Sequence, residues 1–323
     1  MGTMKWLNLS VVMVLMSMFL WPLTSMANTT ADNFYQRDTT IVVDTALPDI
    51  AFPLTVRKII PAVPLRQLLP DSSSKIVILK NDTEIQVIET VGGAKLSFVV
   101  SDFEYTNGQT INEQVVVTVR TMVTPADFIS AHAPTISRGA LLDLQWGFHI
   151  AASTPSKSIQ LKKGKSIQIT FPASTTIESL FYGDTLKTGA VNWMEAAQLD
   201  PLQINRLGWI AFGERYPNKQ GRIDQYVKLD ISEDYLLPEK ATVLLVFQNK
   251  HIVASGISTE VPVLYSFRNM PIGEQVYAIA FMEVAGKLYV GKSDRFMVDE
   301  EDIPAIEMKA WSKDAIQLLL QQL

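Results

Sequence analysis

From Lys75 onward apolar and polar side chains exchange places at every second residue over many short stretches, and that rhythm restricts the chain to extended structure. Successive side chains of a strand point to opposite faces of its sheet, so a period of two marks a strand with one buried face. The clearest stretch is 142–150, where Leu142, Leu144, Trp146, Phe148 and Ile150 share one parity and Asp143, Gln145, Gly147 and His149 the other. The same pattern places Ile85 and Val87, then Val115, Val117 and Val119, then Ile167, Ile169 and Phe171 on core faces. Turn formers separate these stretches at Gly92-Gly93, Asn107-Gly108 and Lys163-Gly164. A first β module is expected over 75–195.

A second group of strands begins near Leu207 and takes in 227–231, the apolar run 243–247, a hairpin turn at Asn249-Lys250, and 275–284, with a Gly286 turn before Leu288-Tyr289-Val290. Many short strands with few helical stretches between them predict a mainly β fold of two antiparallel sandwich-like modules rather than βαβ units. The segment 196–206 has no clear period and is read as the boundary, which places the second module at 206–298. In the tail, 299–323, the acidic run Asp299-Glu300-Glu301-Asp302 reads as a solvated turn, and Ile306, Met308 and Ala310 still alternate. Ser312 then reads as the N-cap of a short amphipathic helix, with Ile316, Leu319, Leu320 and Leu323 on one stripe that packs back on a sheet. The alternative use of that stripe is a partner-binding helix.

Before the first module the chain changes character. Lys5 is the single charge ahead of an apolar stretch from Trp6 to Leu20, followed by Trp21-Pro22 and the small residues Ser25-Met26-Ala27. This is the layout of a secretory signal peptide, 1–27, with cleavage after Ala27. Residues 28–74 read as a proline-rich arm, since Pro48, Pro53, Pro61, Pro64 and Pro70 recur too often for a helix or a central strand, and Asp71-Ser72-Ser73-Ser74 reads as a hinge. No later stretch reaches the roughly 20 apolar residues of a second span, so no membrane span is expected after cleavage. The protein is therefore expected outside the cytoplasm, in the periplasm or beyond the cell.

With 28 basic and 33 acidic side chains the chain carries a net charge of −5. Removing the leader takes away one lysine and no acid, which leaves the balance acidic and without a basic stripe for nucleic acid or a polybasic membrane contact. The absence of cysteine excludes disulfides, thiolate metal sites and a cysteine nucleophile. A chain long enough to bury a large core does not need disulfides.

Several stretches carry a family likeness: Pro125-Ala126-Asp127-Phe128-Ile129, Ser137-Arg138-Gly139-Ala140-Leu141-Leu142, Trp146-Gly147-Phe148 and Leu161-Lys162-Lys163-Gly164-Lys165-Ser166-Ile167. Together, and in this order, they resemble uncharacterised exported β-sandwich proteins of the Bacteroidetes. Leu207-Gly208-Trp209-Ile210 is similar to the Gly-Trp-Ile stretch of those proteins, which continues Asn-Cys-Asp-Arg-Phe where this chain reads Ala211-Phe212-Gly213-Glu214-Arg215-Tyr216. No role for that cysteine carries over. The resemblance covers about 75–298 and implies β-sandwich modules outside the cytoplasm, with no family catalytic residue to map. Gly92-Gly93 is also similar to the start of the β-rich interaction domain of ankyrins and netrin receptors, although the proline-glycine-alanine signature that follows there is absent.

The chemistry-bearing residues give little convergence. The three histidines lie far apart, with no His-x-x-x-His pair to set two metal ligands on a helix face, and His149 and His251 read as solvated. His132 lies near Asp127, Ser130 and Ser137, the one combination with nucleophile-base character, but without a Gly-x-Ser-x-Gly elbow it reads as a polar loop between strands. The run 299–302 lacks the alternating acidic loop that folds around calcium. Gly164-Lys165-Ser166 lacks the first glycine of a phosphate loop and leads into a strand. Glycosidase carboxylates are set in three dimensions and are not legible here. No cofactor, metal or catalytic residue is assigned. Trp193, Trp209, Tyr216 and Tyr226 gather around the expected boundary and are the ligand candidates, able to stack on a sugar face or to fill a core. The functional expectation is an exported, non-catalytic envelope protein with a binding or scaffolding role, whose partner is another envelope protein or a glycan. The alternatives are a carbohydrate-binding protein and a hydrolase with a dispersed site that includes Asp127 and His132.

Overall fold

A computed structural model describes residues 74–79, 83–173, 175, 177–197, 200–217, 221–231, 240–299 and 303–323. The expected signal peptide, the arm as far as residue 73 and Glu300–Asp302 of the acidic turn lie outside the described residues. The chain is mainly β, in several antiparallel sheets with a short C-terminal helix. Among the described residues no helix is long and apolar enough to cross a membrane.

Four sheets stack face to face. The first is an outer sheet of β2 (Ile85–Glu89), β3 (Lys95–Val99), β9 (Ile167–Thr170) and β12 (Gln203–Ile204). The second is an inner sheet in the order β1 (Ser74–Leu79), β5 (Val115–Met122), β7 (Ala140–Ser153), β13 (Gly208–Arg215), β10 (Ser179–Thr185) and β11 (Val191–Glu195), with β6 (Ile136–Ser137) paired to β7. The third, also inner, runs β16 (Val253–Ser255), β15 (Thr242–Phe247), β19 (Gln275–Val284), β20 (Lys287–Lys292) and β23 (Lys309–Trp311), with β21 (Phe296–Met297) on β19. The fourth is an outer sheet of β17 (Ile257–Ser258), β18 (Leu264–Pro271), β14 (Arg222–Asp230) and β22 (Ala305–Glu307). A separate pair, β4 (Phe103–Tyr105) with β8 (Ile159–Leu161), adds its apolar residues to the core between the first two sheets. The pairing of β14 with β22 is parallel, against the antiparallel rule elsewhere.

Three apolar cores separate the four layers. Leu96, Phe98 and Ile169 of the first sheet meet Val117, Phe148 and Phe212 of the second. The other face of the second sheet, with Leu144, Phe181, Trp193 and Trp209, packs against Leu244, Val246, Ile279 and Phe281 of the third. The third sheet's far face, with Val243, Leu245 and Ala280, meets Val227, Leu229 and Phe267 of the fourth. Where an inner sheet is covered on both faces its strands have no polar parity to show: β15 is buried at every position, whereas β9 alternates strictly, as does the first half of β5 near the second sheet's edge. The middle core joins the two sandwiches. Helix α2 (Lys313–Gln321), capped by Ser312 Oγ accepting from Ala315 N, inserts Ile316, Leu319 and Leu320 into it.

This arrangement corrects four details of the sequence reading. The strand expected to open the second module, β13, is hydrogen-bonded between β7 and β10 in the centre of the second sheet, and Ile204 pairs with Ile167 in the first. The chain therefore crosses between sandwiches after Arg215 and not within 196–206, where the missing period reflects a short return through the first sandwich. Second, Ile85 and Val87 are 71% and 57% exposed, because the register Ile88↔Leu96 puts Ile88 and not its odd-numbered neighbours on the core side. Third, the even residues of 142–150 do not share one face. Phe212 lies opposite Trp146 and Gly213 opposite Leu144, so Gln145 is an extra residue, a β-bulge, on β7. The bulge reverses the parity: Leu142 and Leu144 enter the middle core, while Trp146, Phe148 and Ile150 enter the first. Fourth, the stretch read as a loop after Thr124 begins as helix α1 (Pro125–Ser130).

Candidate functional site

The β7 bulge is also where the structure gathers polar side chains. A cleft of about 440 Å³ lies at the junction of the two sandwiches, lined by Asp143, Gln145 and Trp146 of β7, Gly92 and Val123 from neighbouring turns, and Asn249 and His251 from the β15–β16 hairpin. The extra residue in β7 re-aims the side chains on either side of it, which is what bulges do beside binding sites. Two glycines make the geometry possible. A Cβ on Gly213 would lie 2.1 Å from the Asp143 carbonyl oxygen, and one on Gly92, whose φ is +87°, would lie 2.8 Å from the Trp146 ring. The indole is otherwise buried, 6.0 Å from Phe148 and 5.3 Å from Phe171 between ring centroids.

Asp143 is the anchor of the cleft. Its Oδ1 accepts from the His251 backbone N–H at 3.0 Å, and the His251 Nδ1 lies 3.6 Å away. Burial works to raise the Asp143 pKa, but the hydrogen bonds from His251 and the charges of His251 and Lys250 outweigh it and hold the carboxyl below its ordinary value. Asn249 supplies the turn: its φ of +57° is the left-handed conformation that asparagine tolerates better than other side chains. The hairpin is fixed by a second charged group alongside. Lys250 Nζ lies 2.5 Å from Glu274 Oε2, the Tyr216 hydroxyl donates to the other Glu274 oxygen, and Lys250 stands 5.3 Å from the Tyr216 ring centroid. Burial opposes ionisation of Glu274, yet its two donors win and lower its pKa; Lys250, also opposed by burial, is raised by Glu274. The Tyr216 phenol is pushed up by burial and by that carboxylate.

Of the residues predicted from sequence to bind a ligand, two are enclosed. Trp193 is 0% exposed and donates from Nε1 to the Pro134 carbonyl at 3.0 Å; Trp209 is 6% exposed and donates to Thr185 Oγ1 at 3.0 Å. Both belong to the middle core, so protein already occupies their ring faces, and His149 lies against Trp209 at 4.4 Å between ring centroids. Tyr216 is committed to Glu274. Tyr226 stands at a surface depression on the outward face of the fourth sheet, lined by none of the other three candidates. Of the Asp127, Ser130, Ser137 and His132 combination, the first two are engaged in building the start of α1 and its contacts. Asp127 Oδ2 caps α1, accepting from Val123 N, Thr124 N and Thr124 Oγ1 at 2.8–3.0 Å. Ser130 Oγ donates to the Asp127 carbonyl and accepts from buried Arg120, and His132 is buried at a φ of +54°. Among the described residues no group of three or more His, Asp or Glu side chains is placed to hold a metal ion.

Sequence reasoning missed the cleft residues Asp143, Gln145 and His251. The first two were read as the solvated parity of a regular strand, and a bulge leaves no reliable mark except a glycine on the facing strand. No family model, no curated protein and no solved structure matches the chain.

Proposed function

We propose that the chain is an exported, non-catalytic binding protein of the cell envelope whose ligand enters the cleft at the junction of the two sandwiches. The observation that carries the reading is the Gln145 bulge, which directs a carboxylate and an amide into one cleft beside an imidazole and a second amide. Such a set donates and accepts hydrogen bonds in several directions, which suits recognition of a polar ligand. Export rests on the leader at 1–27, and N-terminal sequencing of the protein from its native host is expected to begin at Asn28.

The reading is tested by placing a photo-crosslinking residue at Asn249 or Gln145 and irradiating cells. The expected result is one discrete adduct with an envelope component, formed from both positions and not from a control at exposed Lys313. Adducts formed equally from all three positions, or from none across growth conditions, would remove the proposal.

A further inference from the structure

The outer face of the fourth sheet carries a second depression, of about 440 Å³, unrelated to the cleft. Its shape follows from the register. Ile257 of β17, Ser266 of β18 and Tyr226 of β14 lie directly opposite one another across three strands, and the small Ser266 between two larger side chains leaves a trough. Ser266 is buried, Tyr226 half-buried and Ile257 exposed, so the trough has an apolar wall on each side and a hydroxyl at its floor.

One end is built by another bulge. Between Ile223 and Gln225 on β14 the facing strand steps from Met270 to Phe267, so Arg268 and Asn269 are out of step with the ladder. Asn269 takes a φ of +62°, its backbone N–H donates to Asp224 Oδ1 at 3.0 Å, and its carbonyl accepts from Arg222 at 2.9 Å. The strained turn is thus held by two charged side chains while Arg268 is left lining the trough. Among the described residues Arg268 has no carboxylate within ion-pair distance. Asp224 and Glu260 line the same trough, with Ser258 and Thr259 beside them.

We infer that this trough is a saccharide-binding site, in which the Tyr226 ring takes the apolar face of a neutral sugar while Arg268, Asp224 and Glu260 bond its hydroxyls. The mixed charge selects the ligand class. Two carboxylates oppose an anionic chain, the guanidinium opposes a cationic one, and a polyol supplies the donors that carboxylates need together with the acceptors that a guanidinium needs. An aromatic wall beside such groups suits a ring with one apolar and one hydroxylated side. An added peptide strand, in contrast, would seek a sheet edge and not this face.

The test is affinity electrophoresis of the full exported protein through gels containing dextran, laminarin or xylan, with dextran sulfate and polygalacturonate as charged arms. At least one neutral polysaccharide is expected to retard the protein. The apparent affinity should fall at least tenfold in Tyr226→Ala and in Arg268→Ala, and stay within about twofold in Tyr226→Phe, which keeps the ring. Circular dichroism of each variant identifies any loss of fold, and Tyr226→Phe with Arg268→Ala still decides the matter should Tyr226→Ala unfold. Retardation by none of the neutral polymers, by the charged ones alone, or unaltered in Arg268→Ala would overturn the inference. The double variant Gln145→Ala, Asn249→Gly is expected to bind as wild type does, so failure here and failure of the cleft proposal are separate results.

Discussion

Replacing Trp193 by alanine separates the two roles open to this residue. In the structure the indole is fully enclosed in the middle core between the second and third sheets, and its Nε1 is the hydrogen-bond donor to the Pro134 carbonyl. Truncating a buried aromatic of this size leaves a cavity that packed sheets close only partly, and costs about 3–5 kcal/mol. Leaving a buried carbonyl without its donor accounts for about 1–3 kcal/mol of such a loss, and Trp193→Phe isolates that part by keeping most of the ring volume. Urea denaturation followed by far-UV circular dichroism reads the difference as a shift in midpoint. Tyr226→Ala, on the outer face, is the reference and is expected to change stability by less than about 0.5 kcal/mol. Were Trp193 a surface platform for a ligand, its alanine variant would behave like the reference. A Trp193→Ala protein within about 0.5 kcal/mol of wild type would refute the middle core.

Three further outcomes follow from the cleft. Gly213→Ala places a methyl group against the Asp143 carbonyl and is expected to lower stability by about 1–3 kcal/mol in the same denaturation assay, where a change below about 0.5 kcal/mol would contradict the bulge. Asn249→Gly keeps the left-handed turn and should alter stability by only a few tenths of a kcal/mol, whereas Asn249→Val should cost about 1–2 kcal/mol; equal effects would show that the turn is not left-handed. The Glu274 carboxyl titrates below its ordinary value near 4.5, so its pairing with Lys250 stabilises the fold above that value and is lost as pH falls through the lowered pKa. Lys250, raised above its ordinary 10.5, keeps its share until pH rises through the raised value. Wild type is therefore expected to lose more stability than Glu274→Gln between about pH 7 and about pH 3, and identical losses would contradict the pairing.

What could be read in the sequence follows the depth of each strand. Strands of the outer sheets bury one face, so Ile167 and Ile169, or Val227 and Leu229, mark themselves by alternation. Strand β15 of the third sheet buries both faces, so the run 243–247 announces burial but not which side meets which partner, and nothing in it says that two sandwiches share a core. The Ser312 cap and the stripe at 316, 319 and 320 were legible because a helix period and a cap are local. The α1 start was equally local, since Thr124-Pro125-Ala126-Asp127 carries a capping box with proline in the first turn, but a six-residue helix is too short to show an apolar period. The β2 register was not legible, because Ile85, Val87 and Ile88 put apolar residues on both parities and only pairing with β3 decides between them.

The ligand candidates divide for the same reason. An aromatic residue in sequence shows size and amphipathic character but not whether its ring faces are covered. Trp193 and Trp209 sit on the inner face of an inner sheet, and Tyr226 sits on the outer face of an outer one. The cleft could not be read from sequence because it needs Asp143 and His251, which are 108 residues apart and meet only in the fold, where the His251 backbone N–H and ring both face the Asp143 carboxylate.

The joining of the two sandwiches into one body is tested most directly by amide hydrogen exchange at Thr135 and Val253. The Thr135 N–H donates to the Val253 carbonyl at 2.7 Å, and the Val253 N–H donates back to Thr135 Oγ1 at 2.9 Å, across the junction. Both amides are expected to exchange only with global unfolding, at the free energy found for Leu245 and Ile169 within the separate cores. Exchange at Thr135 and Val253 that is orders of magnitude faster, while Leu245 and Ile169 stay protected, would mean that the faces part in solution and that the middle core does not hold.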